Sequence, residues 1–204
     1  MGSAQYAPGF FWGNPGNKAE AATAAKRHAT TTRHQKTLMP QIPFDQLPSA
    51  SRLWIFPSER PLSPEEEARL LSRADTFLDQ WAAHGVPLTC ARDWRYGRFL
   101  LVGVDEASEP PSGCSIDAMT NVLKELGAEL GLTFLDHAPV FYREGEGIRR
   151  VDRAAFKAQV EAGSVDLETP VFNNSITRLS DLEAGEWEKP AGASWHRRAF
   201  FQKE

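Results

Sequence analysis

Phe99 to Val104 reads F-L-L-V-G-V, a run without one polar side chain. A segment this short and this apolar is a strand rather than a helix, and it belongs in the middle of a sheet. A central strand has neighbours, and the flanking sequence supplies them. Leu53 to Phe56 (L-W-I-F) is a short apolar run stopped by Pro57, and Leu88 to Tyr96 alternates well enough for another strand, with Gly97 as the turn.

Two helices fit between these strands. Ser63-Pro64-Glu65-Glu66 is a strong helix start: Ser63 can cap, Pro64 suits the first helical position and Glu66 can close a capping box. Leu70, Leu71, Ala74, Phe77, Leu78 and Trp81 then share one face, with the end expected at His84-Gly85. A second helix is predicted from about Ser115 to Leu130, with Ile116, Met119, Leu123, Leu126 and Leu130 in register. A strand near Pro139 to Arg143 follows. The predicted fold class is α+β, in the ferredoxin-like order β-α-β-β-α-β, with two helices over one face of a four-stranded antiparallel sheet. A hairpin through Glu144 to Gly147, a short helix near Asp152 to Ala162 and a strand at Thr169 to Phe172 extend it, and the remainder reads as irregular. The expected division is a basic tail and Pro-containing linker at 1–50, a core at 51–145 and a C-terminal extension at 146–204.

The net charge of −4 divides unevenly. Residues 1–41 carry Lys18, Lys26, Arg27, Arg33 and Lys36 against Glu20, a net +4, which leaves −8 on the rest. Such a split hints at a tail that meets nucleic acid or an acidic partner, while the acidic body argues against broad nucleic-acid binding. The tail is poor in large apolar groups and is expected to lack stable structure of its own. Its exception is Tyr6, Phe10, Phe11 and Trp12, set among Gly and Pro like a short docking peptide. Two cysteines without C-x-x-C spacing argue for a reducing compartment. With no run of about 20 apolar residues and no secretory h-region, the expected address is cytoplasmic.

The strings S-R-L-W-I-F-P-S-E-R (51–60), W-A-A-H-G (81–85), R-F-L-L-V-G-V-D-E (98–106), S-G-C-S-I-D (112–117), V-F-N-N (171–174) and S-W-H (194–196) resemble, in the same order, an uncharacterised bacterial family. Its members run to roughly 150–160 residues, the size of one ordinary domain. The resemblance covers Ser51 to about Arg198, and it implies no established activity. Some members carry an automatic label of ABC transporter ATPase. That label fails here, because nothing in the chain fits G-x-x-x-x-G-K-[ST], the loop that cradles phosphates.

The string most suggestive of chemistry is Ser112-Gly113-Cys114-Ser115-Ile116-Asp117, at the start of the second predicted helix. Unpaired amides and the helix dipole favour a thiolate at Cys114 or a bound anion there, with Ser112, Gly113, Cys114, Ser115 and Asp117 as ligand contacts. His84, His137 or His196 could serve as base. The plainer account has Ser112 or Ser115 capping the helix, Asp117 complementing the dipole and Cys114 packing as a small hydrophobe. Asp105-Glu106 could act as a carboxylate pair, but adjacent strand residues point to opposite faces.

The five histidines have no H-x-x-x-H spacing, so no metal site is expected, and no cofactor motif is present. Trp54, Trp94, Tyr96 and Phe99 with Arg92, Arg95 and Arg98 could form a stacking surface for bases or for a protein partner. The favoured expectation is a non-catalytic interaction module. Phe11, Trp12 and Arg27 in the tail, with Trp187 and Trp195 near the C-terminus, are its candidate partner contacts. The alternative is a small thiol-dependent enzyme or anion-binding protein using Gly113 to Asp117.

Overall fold

The computed structural model describes residues 41–202. In chain order its elements are β1 (Arg52–Pro57), α1 (Pro64–Leu78), the short strands β2 (Ala82–Ala83) and β3 (Val86–Pro87), β4 (Cys90–Arg95), β5 (Phe99–Val104), α2 (Gly113–Leu130), β6 (Val140–Glu144), β7 (Gly147–Val151), α3 (Arg153–Glu161), β8 (Pro170–Phe172), α4 (Leu179–Glu183) and β9 (Glu188–Pro190). The fold is α+β. β5 is the middle of a three-stranded antiparallel sheet of order β1-β5-β4, and every one of its residues is buried.

The two faces of β5 meet different covers. Leu100, Val102 and Val104 pack with Leu70, Ala74 and Leu78 of α1 and Met119, Leu123 and Leu126 of α2. On the opposite face Phe99 and Leu101, with Leu53 and Ile55 of β1, pack against Phe141 of β6, Phe172 of β8 and Trp187. Trp187 immediately precedes β9, and Phe141 and Phe172 belong to a second antiparallel sheet, of order β7-β6-β8-β9. Its far face, through Val140, Tyr142 and Val171, is closed by Phe156 of α3 and Phe200 of the C-terminal turn. The described domain is thus layered helix, sheet, sheet, helix, and strand alternation assigns each apolar residue to its layer.

This corrects two expectations. The strand expected to complete a four-stranded ferredoxin-like sheet, β6, instead pairs with β7 and β8. The outer edge of β1 is met by the chain at 177–179: the amide of Leu53 donates to the carbonyl of Thr177, and Arg52 bridges Arg178. The residues before Ser51 are not all linker either. Gln41 bridges Cys90, the amide of Ile42 donates to Cys90, Phe44–Gln46 forms a turn of 3-10 helix, and Leu47 is buried with Ala91 and Leu179. Residues 41–50 therefore belong to the packed domain. The tail expectations at Phe11, Trp12 and Arg27 lie outside the described residues.

The helix starts follow the sequence. Ser63 accepts from the amide of Glu66, and Glu66 accepts in return from the amide of Ser63. The end of α1 falls at Leu78, earlier than the apolar spacing predicted, because Ala82–Ala83 and Val86–Pro87 form a hairpin instead. Its two turn residues, His84 and Gly85, both have positive φ, at 52° and 80°, as a two-residue turn matched to strand twist requires.

Candidate functional site

The expected motif at 112–117 does open a helix. Ser112 is the N-cap: its hydroxyl accepts from the amide of Ser115, and the Ser115 hydroxyl donates back to the Ser112 carbonyl at 2.8 Å. Ser115 is buried, whereas Gly113, Cys114 and Asp117 are exposed. Both capping serines are thus engaged within the turn, as the plainer account of this motif has it. Cys114, by contrast, is not packed as a core residue.

A cleft of about 670 Å³ lies in front of this turn. Phe77 near the end of α1, Gln80 and Trp81 just after it and His84 from the hairpin form one wall, and Ser112 to Ser115 form the other. The two walls are tied together by the Trp81 indole, which donates to the Ser115 carbonyl at 2.8 Å. Of the three histidines considered as bases, His84 alone lines the cleft with Cys114; His137 and His196 line a different cavity. The aromatic wall was not legible beforehand, because Phe77 and Trp81 read as core positions of the first helix.

The other thiol is inert by position. Cys90 is fully buried in β4 and donates to the Leu78 carbonyl, and burial, aided by the charge of Asp79, pushes its pKa up to about 12. Asp105 turns back to accept from the amide of Ala107, and Glu106 pairs with Arg178 at 3.0 Å, so the two acids are separately engaged. Among the described residues no group of three or more His, Cys, Asp or Glu is arranged to hold a metal ion. None of the described helices is long and apolar enough to cross a membrane.

The supposed aromatic stacking surface is dispersed. Trp54 and Trp94 pack on the helix side of the first sheet, Phe99 packs on the other side, and Tyr96 sits in the β4–β5 turn at φ 57°. Its arginines are occupied as well. Arg92 makes a two-pronged pair with Asp75, Arg95 pairs with Asp93, and Arg98 is buried with three carbonyl acceptors.

The two C-terminal tryptophans differ in kind. Trp187, expected as a partner contact, is 2% exposed and sits among Tyr96, Phe99 and Phe172, with its indole donating to Asn174 Oδ1 at 2.9 Å. It is core. Trp195 is 39% exposed yet held on several sides: it stacks on His196 at 3.8 Å, carries the Arg153 guanidinium at 5.2 Å, and donates to Asn173 Oδ1 at 3.1 Å. V-F-N-N and S-W-H, two of the strings that carried the family resemblance, therefore meet in space. The part played by Asn173 and Asn174 was invisible in the sequence, since it depends on contacts across 22 and 13 residues. No protein-family model, no curated protein and no solved structure matches the chain.

Proposed function

We propose that the protein is a non-catalytic docking module that joins a larger assembly through its basic N-terminal segment and the surface around Trp195. The observation that carries this reading is the state of Trp195, a large aromatic that is exposed but already immobilised. Tryptophan and arginine are the favoured anchors of protein interfaces, and an anchor fixed in advance loses little side-chain entropy on binding. Arg153 lies against its ring, so the pair offers an apolar face and a charge together. Phe11, Trp12 and Arg27 are proposed as a second contact, and the tail is the proposed route to any nucleic acid. The absence of a P-loop and the fully engaged Asp105 and Glu106 fit a module without phosphate chemistry. Two unpaired cysteines support a reducing, cytoplasmic setting.

The test compares the native-level size of wild-type chain, Trp195→Gln and a deletion of residues 1–40 in lysate of the source cell. Wild type is expected in a larger assembly, with each variant shifted toward the free chain while its unfolding transition stays cooperative. Wild-type chain running free would overturn the reading.

One observation favours a second reading, a thiol-dependent or anion-binding site: exposed Cys114 and His84 share one cleft at the start of α2. Alkylation of Cys114 against pH tests it, and an ordinary thiol profile, centred near pH 8.5, would count against it. The order β1-β5-β4 with both helices on one face also supports reading residues 52–130 as part of a ferredoxin-like unit to which a second sheet has been added.

A further inference from the structure

A second cavity, of about 140 Å³, lies where β8 ends beside the C-terminal turn, lined by His137, Phe172, Asn174, Ser175, Trp195 and His196. What its polar groups can still offer follows from what they have already spent. Asn174 Oδ1 accepts from the Trp187 indole, which fixes the amide and leaves its Nδ2 protons uncommitted. Ser175 gives its hydroxyl proton to Asn173 Oδ1 at 2.6 Å. The His196 side chain is 1% exposed, and its Nδ1 is paired with Ser194 Oγ at 2.9 Å. Nε2 makes no hydrogen bond among the described residues, which leaves it as the ring nitrogen available to the cavity that His196 lines. A ring nitrogen and an amide left free of protein partners beside a cavity can pair with whatever occupies it. When the Ser194 hydroxyl donates to Nδ1, the imidazole proton resides on Nε2, and His196 becomes a donor like Asn174.

Charge gives the ligand its sign. No carboxylate lines the cavity. Asp136, the neighbour of lining His137, is held by Arg150 at 2.8 Å. Behind His196 stands Arg153, its guanidinium over Trp195 and Phe200 at 5.2 and 5.1 Å. N–H donors on a lining that carries no acid, with a cation on the far side of the Trp195 ring, suit an anion with oxygen acceptors. Size gives its class. At roughly 30 Å³ of liquid volume per water, the space holds about four or five waters, or a molecule of similar bulk.

We propose that this cavity binds a small carboxylate, of about the size of acetate, with Asn174 Nδ2 and His196 Nε2 donating to its oxygens and Trp195 closing one side. This goes beyond the docking reading and does not depend on it, since a chain that engages no partner would still bind the anion.

The experiment is an NMR titration of the full chain with sodium acetate, using acetamide as the neutral isostere and sodium chloride as the ionic control. Acetate is expected to give saturable shifts of the Asn174 side-chain amide, the Trp195 indole N–H and the His196 ring, while acetamide and chloride leave them in place. Asn174→Asp keeps an oxygen for the Trp187 indole and puts a negative charge at the donor position; it is expected to weaken acetate at least tenfold. Shifts that fail to saturate, an equal response to acetamide or chloride, or unchanged affinity in folded Asn174→Asp would overturn the proposal. The acetamide comparison uses wild-type protein and decides the matter even where the variant fails to fold.

Discussion

Arg98 donates from Nη1 to the carbonyl of Ile148 at 2.7 Å, and this hydrogen bond crosses from the first sheet to the second. The same guanidinium donates to the carbonyls of Ser58 and Glu59 and lies over the Phe141 ring at 5.3 Å. It is 5% exposed, and its three acceptors are neutral carbonyls, so the charge is held by dipoles rather than by a carboxylate. Arg98→Met keeps much of the stem but strands three carbonyls. Denaturant unfolding should show a loss of about 2–4 kcal/mol, and Arg98→Lys should recover only part of it, because an ammonium lacks the planar fork.

The packing of residues 41–50 makes its own prediction. A Cβ at Gly103 would run into Leu47 Cδ1, so the first sheet is shaped to receive that side chain. Leu47→Ala should cost about 2–4 kcal/mol, as large-to-small changes in a core do. A segment that served only as linker would tolerate the change without loss, which the same denaturation curve would reveal.

The two cysteines should react in strict order. In native protein iodoacetamide should label exposed Cys114 and spare Cys90, which is buried and has its thiol raised to about 12. In denaturant both should label. Mass spectrometry of the digested protein reads the two sites separately, and native labelling of Cys90 would contradict the placement of β4 in the core.

Acid should act on this domain in two separable windows. Burial first, and then the charge of Arg153, lowers His196 to about 4 from its ordinary 6.5. Between those values the unfolded chain binds a proton that the folded chain refuses. The stability contribution is therefore present above about pH 6.5 and is lost as pH falls toward 4. At about 1.4 kcal/mol per unit the loss is on the order of 3 kcal/mol. Glu66 behaves differently: its hydrogen bond from Arg60, and then the Ser63 amide, hold it at about 2, so its contribution is lost only below its ordinary 4.5. Urea midpoints measured from about pH 7 to 4 should fall for wild type and flatten for His196→Gln.

Much of the first half of the domain was legible because its signals are local. The capping box at Ser63 and Glu66 needs only four neighbouring residues, and the apolar run of β5 declares itself. The end of α1 was misread because its helical spacing runs on through Trp81, which packs inward by bonding to the carbonyl of Ser115, a residue far along the chain. The second sheet was the least visible. β8 lies where a strand was expected, at Thr169 to Phe172, but its partner β9 is three residues inside a stretch that reads as irregular, and it exists through pairings such as Val171 with Lys189. At the candidate site the Ser112 cap was readable, whereas the wall of Phe77 and Trp81 depends on how two helices pack. Trp187 and Trp195 looked alike in sequence, and only their surroundings separate a core residue from a surface anchor.

The stacking of one sheet on the other also sets an order of events during synthesis. A growing chain that has released residues only through α2 can cover Leu100, Val102 and Val104 with its own helices, but Leu53, Ile55, Phe99 and Leu101 face water until Phe141, Phe172 and Trp187 emerge. For that interval the nascent protein displays a bare apolar β-surface, the kind of surface that chaperones and misassembly compete for. Stalled translation or truncation between residues 130 and 187 should therefore yield an aggregating species rather than a smaller folded one.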